Sequence, residues 1–123
     1  MARYDRRVGF ERFQSEARNA FNEPVGAWVL LGQTFASRSD VRDMEKISAG
    51  RETAALVSRF EVRSSALTRS LTTADRMVLH GAWGADGAMV SGSVWDIEGI
   101  KEAAGARHAV LEITAVLSLE SQV

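Results

Sequence analysis

Cysteine is absent from the 123 residues, so the chain has no route to a disulfide, a thiolate nucleophile or a cysteine-based zinc site. The absence fits any redox compartment. Histidine occurs only at His80 and His108, and neither is accompanied by a nucleophile elbow or an orienting acid of the kind a catalytic triad requires. No sign of charge is in excess: the formal net charge is -1, which excludes a chain that grips polyanions over its whole surface, although a local basic patch stays possible. Long apolar runs are missing as well. The start, Met1 to Arg7, is charged with no apolar run behind it, so it does not read as a secretory signal, and no stretch approaches the ~18 to 20 apolar residues that cross a bilayer as a helix. The expectation is a protein made and kept in aqueous cytoplasm unless something carries it out.

What remains is ordinary globular material, 46% hydrophobic and 25% charged, sized for one domain over residues 1–123 with a modest core. Apolar residues alternate raggedly from Val8 to Phe13, the mark of a first strand. Asn19, Asn22, Pro24 and Gly26 then punctuate Ser15 to Gly26, a long hairpin connection. Ala27 to Ala36 is rich in Trp, Val, Leu, Thr and Phe and reads as a second strand. Arg38 to Glu52 is densely charged, with Val41, Met44 and Ile47 at helical spacing, which allows a short helical turn inside a long exposed loop.

Beyond the loop, Thr53 to Arg63 gives a strand ending near Arg63, with Ala54-Ala55-Leu56 open to a helical reading. Ser64 to Asp75 is Ser/Thr-rich and loop-like, and Arg76 to His80 is a short strand. Gly81 to Gly92 holds four glycines and reads as a flexible turn or protruding hairpin. Ser93 to Lys101 and His108 to Leu119 supply two more strands. About six strands without strong helical periodicity predict an all-β fold, a small barrel or sandwich, with the long loop between strands 2 and 3.

Candidate chemistry is thin. Asp40, Asp43 and Glu45 are carboxylates, but their spacing lacks the regular oxygen ligands of a calcium loop and Arg38, Arg42 and Lys46 interleave with them, so the segment reads as solvated mixed charge. Gly84-Ala85-Asp86-Gly87 lacks the Lys and Ser/Thr of a phosphate loop. No catalytic, cofactor or metal residues are assigned. Trp28 and Trp95 lie in apolar strands and are expected in the core, whereas Trp83, in the glycine-rich segment, is a candidate interface anchor. Arg3, Arg6 and Arg7 form a basic N-terminal arm, the second candidate interface, and Arg38, Arg42, Lys46 and Arg51 add positive charge to the long loop.

Several short signatures occur in a telling order: Glu23-Pro24 with Trp28, Phe35-Ala36, Gly50-Arg51-Glu52, Arg59 to Arg63, Asp75-Arg76, Trp95-Asp96-Ile97 and Val110 to Ala115. In that order the chain resembles the phage head-tail joining family, the head-closure or stopper proteins between a filled capsid and its tail. One departure is the length of Ala82 to Gly92, longer than the short glycine turn usual between the two late strands. The resemblance implies a small β-barrel that forms a homo-oligomeric ring, hexameric or dodecameric, around a central channel. It implies a portal or adaptor protein on the head side and a tail terminator or tail tube on the other, in the neck of a phage, prophage or gene transfer particle assembled in the bacterial cytoplasm. The loop between strands 2 and 3, with Arg38, Asp40, Arg42, Asp43, Glu45, Lys46, Arg51 and Glu52, would reach toward the channel, retain packaged double-stranded DNA and touch it transiently. No cofactor, membrane or enzymatic role is implied.

Two other readings compete. A nucleic-acid-binding β-barrel would show salt-dependent affinity for free DNA, which the charge balance disfavours. A small enzyme would need a catalytic constellation. Among neck components, adaptors are mainly helical and terminators mix helix and sheet.

Overall fold

The computed structural model describes residues 4–40, 56–103 and 109–118. Burial of period two sets its strands. In β3 (Val57–Arg63) Ser58, Phe60 and Val62 are buried between exposed Arg59 and Arg63. In β6 (Val110–Leu117) Leu111, Ile113 and Ala115 point into the same interior, as alternate residues of a strand must when one face is covered. With β1 (Arg6–Gln14), β2 (Ala27–Asp40), β4 (Arg76–Trp83) and β5 (Met89–Glu102), the six strands close into an antiparallel barrel in the order β1-β2-β3-β6-β5-β4. This is the all-β barrel of about six strands expected from the sequence.

Two long strands make the corners. β2 pairs with β1 up to Ala36 and with β3 from Ala36 onward, so Ala36 faces both Arg6 and Val62. β5 likewise pairs with β4 and then β6, and Trp95 and Asp96 stand in both ladders. Strands that change partners part-way along are how two crossed sheets share their corners. The core between them is Val8, Phe10, Phe60, Val62, Met77, Leu79, Trp95, Ile97 and Ile113, with smaller Ala36 and Ala115 where strands crowd. Phe60 and Trp95 meet edge to face at 5.4 Å.

The barrel has two distinct ends. One carries the β1–β2 connection and a short helix, α1 (Ala66–Arg69), inside the stretch expected to be loop. Ser65 starts it by a capping box: its side chain accepts from the Thr68 N–H, and the Thr68 hydroxyl oxygen accepts from the Ser65 N–H, satisfying two donors that a helix start leaves over. Leu67 lies against Gly32 of β2 and the core. Beside it the Arg12 guanidinium donates to both carboxylate oxygens of buried Asp75, at 2.8 and 3.0 Å, and to the Ser70 carbonyl. The start of β1, the end of β6 and the β4–β5 hairpin share the other end.

Several boundaries differ from the sequence reading. Arg6 and Arg7 are not a free arm; they pair with Ala36 and Phe35 in β1. β2 does not stop at Ala36 but runs to Asp40, so Arg38 and Asp40 belong to a strand and face Phe60 and Ser58. A charged side chain is tolerated there because the Arg38 guanidinium stacks on the Trp95 and Phe60 rings, at 5.1 and 5.9 Å from their centroids, an attraction that offsets part of its desolvation. The glycine-rich segment is mostly strand, leaving Gly84–Ala88 as the turn. The helical turn expected around Val41 to Ile47 lies outside the described residues, as do Arg3, Arg42, Asp43, Glu45, Lys46, Arg51, Glu52 and His108.

Candidate assembly surface

Surface chemistry concentrates in three places. At the tip of the β1–β2 connection Phe21 is 83% exposed, and Phe13, Val25 and Val29 nearby are also exposed. An apolar group of this kind on a small soluble barrel marks a contact surface more often than a lone exposed Leu or Val does. The tip is held firmly. Asn19 Oδ1 accepts from the N–H groups of Phe21 (2.9 Å) and Glu23 (3.1 Å), the local side-chain turn at which Asn excels. Arg18 donates to the Asn22 carbonyl at 2.7 Å, and the Val25 and Gly26 N–H groups donate to the Ala17 carbonyl. Asn22 takes φ 62 and Gly26 φ 72. A Cβ at Gly26 would also run into the Phe13 ring, so glycine is required there on both counts.

The second place is the outer wall. Glu11 is buried although it points away from the interior. Its Oε1 accepts from Arg76 Nε at 2.7 Å and its Oε2 from the Trp83 indole N–H at 3.0 Å. The Arg76 guanidinium sits 4.2 Å from the Trp28 ring centre, and Trp28 meets Phe13 edge to face at 5.4 Å. Trp28 is therefore not in the core, where sequence had placed it; it roofs an ion pair on the outside of the barrel. Trp83, the candidate anchor, is half-buried, its ring lying over Gly9 and Gly81. His80, with φ 52, sits where the β4–β5 register shifts, and such a bulge re-aims the strand that carries it.

The third place is a hollow of about 230 Å³ lined by Tyr4, Thr34, Phe35 and Arg63. Phe35 is 55% exposed, and the Arg63 guanidinium lies 4.8 Å from the Tyr4 ring centre. Arg7 pairs with Phe35 across β1 and β2, which sets this phenylalanine between two exposed arginines. Sequence reasoning marked Arg7 and missed Phe35, Arg63 and Phe21, although an aromatic between two short polar runs, as at Phe21, was a usable signal.

Among the described residues no three His, Cys, Asp or Glu side chains gather as a metal site would need, and no helix is long and apolar enough to cross a membrane. Arg38, at the barrel end opposite the hairpin tip, is the one member of the expected gating set whose side chain is described; Asp40 is placed by its backbone. Arg38 stacks on Trp95 and Phe60, whereas Arg6 lies beside Asp5 and Trp83 beside Glu11.

No curated protein matches this sequence. Among solved structures it is similar to the solution structure of protein SF1141 from Shigella flexneri 2a, at 22% identity over 98% of each chain with a TM-score of 0.65, a likeness that concerns the fold. The sequence pattern of one family, described as phage head completion protein, matches residues 1–117. That span contains all six strands, both corner strands and the hairpin tip, and on it the chain belongs to the phage head completion protein family.

Proposed function

We propose that the chain closes the filled phage head as a ring of identical copies, holds the packaged DNA and presents the surface on which the tail docks. Its place in the family, matched over residues 1–117, carries this reading: the family gives it a structural role at the head-tail junction among other phage head and tail proteins. The portal or adaptor would lie on one side of the ring and the tail terminator or tube on the other. The segment between β2 and β3 would act at the channel, and its near-balanced charge suits a gate, because a strongly cationic lining would hold DNA that must later slide out. Trp83, Arg6 and Arg7 serve in this reading as contacts with neighbouring subunits.

Electron microscopy of particles from cells lacking the chain tests the role. Separate tails beside tailless heads that lose their DNA are expected. Intact tailed particles would reject it.

A further inference from the structure

We infer that copies of this chain join head to tail, with the Phe21 tip of one copy seated in the Tyr4–Thr34–Phe35–Arg63 hollow of the next. This deepens the ring-forming reading above by assigning the surfaces that meet. The two features lie at different levels of the barrel, separated along β2 alone by roughly 25 Å, the rise of about eight strand residues. A tip therefore cannot reach the hollow of its own copy. A projection and a recess on different parts of one chain generate a heterologous contact, which repeats around a ring when its rotation closes.

Size, charge and rigidity favour a second copy as the occupant. A cavity of about 150 Å³ takes a benzene ring, and the hollow, at about 230 Å³, has room for a phenyl group with part of its backbone. Exposed Glu16 and Glu23 flank Phe21 on the tip, with Arg18 already engaged by the Asn22 carbonyl. Exposed Arg7 and Arg63 flank the hollow, and Arg6 lies 3.9 Å from Asp5. The tip thus carries an acidic balance and the hollow a basic one, the complementarity that fixes register between partners. The Arg63 guanidinium and Tyr4 ring at the recess offer an arriving phenyl ring a cation and an aromatic neighbour, both favourable contacts. Because Asn19 already holds Phe21 outward, little ordering entropy is lost on docking.

The test is sedimentation velocity of the full chain over a roughly hundredfold concentration range, on wild type, Phe21→Ser, Phe35→Ser and an equimolar mixture of the two variants. Both positions are exposed, and thermal melts verify that the variants fold. If Phe35→Ser melts below wild type, Arg63→Glu takes its place. The wild-type mass should rise with concentration, and each variant should associate at least roughly tenfold more weakly. The mixture should form pairs and stop there, since one variant keeps an intact tip and the other an intact hollow. A wild type that stays monomeric, a single variant that associates normally, or a mixture that stays monomeric would each overturn the inference. None of these bears on the particle phenotype, by which the head-closure role is judged separately.

Discussion

Glu11 and Trp83, 72 positions apart, are tied by an indole N–H donated to the Glu11 carboxylate at 3.0 Å. The bond lies on the outside of the barrel, yet Glu11 is 1% exposed, because the Trp83 ring and the Arg76 side chain cover it. Removing the carboxylate would leave Arg76, whose side chain is 13% exposed, without its ionic partner. Glu11→Ala is therefore expected to cost about 3–5 kcal/mol. Trp83→Phe should cost less, about 1–2 kcal/mol, since Glu11 keeps Arg76. Urea denaturation of the two variants measures both.

Gly9 lies beneath the same indole, and a Cβ there would run into the ring. Gly9→Ala should destabilise by about 1–3 kcal/mol, the ordinary cost of overpacking. In Trp83→Ala the space is open, and the same change should be nearly neutral. A double-mutant cycle reads the coupling; additive effects would show that the indole does not rest on Gly9.

The Arg12–Asp75 pair gives the barrel an acid limit. Burial pushes the Asp75 carboxyl up, but the hydrogen bonds from Arg12 and from the Thr72 N–H, with the Arg12 charge, outweigh it and hold the carboxyl below its usual value. A carboxylate depressed in the folded state stabilises above its unfolded pKa, and that contribution fades as pH falls through the folded one. Asp75→Asn should thus be less stable than wild type at pH 7, with the gap closing below about pH 4. Thermal melts across that range check the sign, and a gap of constant size would refute it.

Deleting Val41 to Gly50 should leave a folded barrel, because the β2–β3 pairs from Ala36–Val62 to Asp40–Ser58 all lie outside the deletion. Under the proposed function the particles should assemble but leak DNA. Normal retention of DNA with a correctly folded variant would remove the gating role and leave the docking role standing.

Much of the barrel was readable because burial in β3 and β6 follows strict alternation, and because Pro24, Gly26 and the asparagines announce the first connection. Arg38 and Asp40 were misplaced because local charge density looks the same whether an arginine meets water or stacks inside on Trp95. Trp28 was misplaced for the converse reason: an aromatic in an apolar run carries no mark of which face of the strand it takes. The one-residue shift between Phe10 and Glu11 is likewise silent in sequence. The wall formed by Glu11, Arg76, Trp83 and Trp28 joins residues from three strands, β1, β2 and β4, so only closure of the barrel reveals it. α1 was legible in hindsight, as Ser65 and Thr68 stand at capping-box spacing, but a helix of four residues shows no periodicity.

The sharing of Ala36 and Trp95 between two ladders has a dynamic consequence. A strand that served one sheet alone could fray while the other sheet stayed intact. Here, releasing β2 or β5 breaks hydrogen bonds in both sheets together, so the slowest-exchanging amides of β1, β3, β4 and β6 should exchange with deuterium in a single cooperative opening. Under the proposed head-closure role, such an all-or-none wall would keep the barrel from yielding piece by piece against packed DNA.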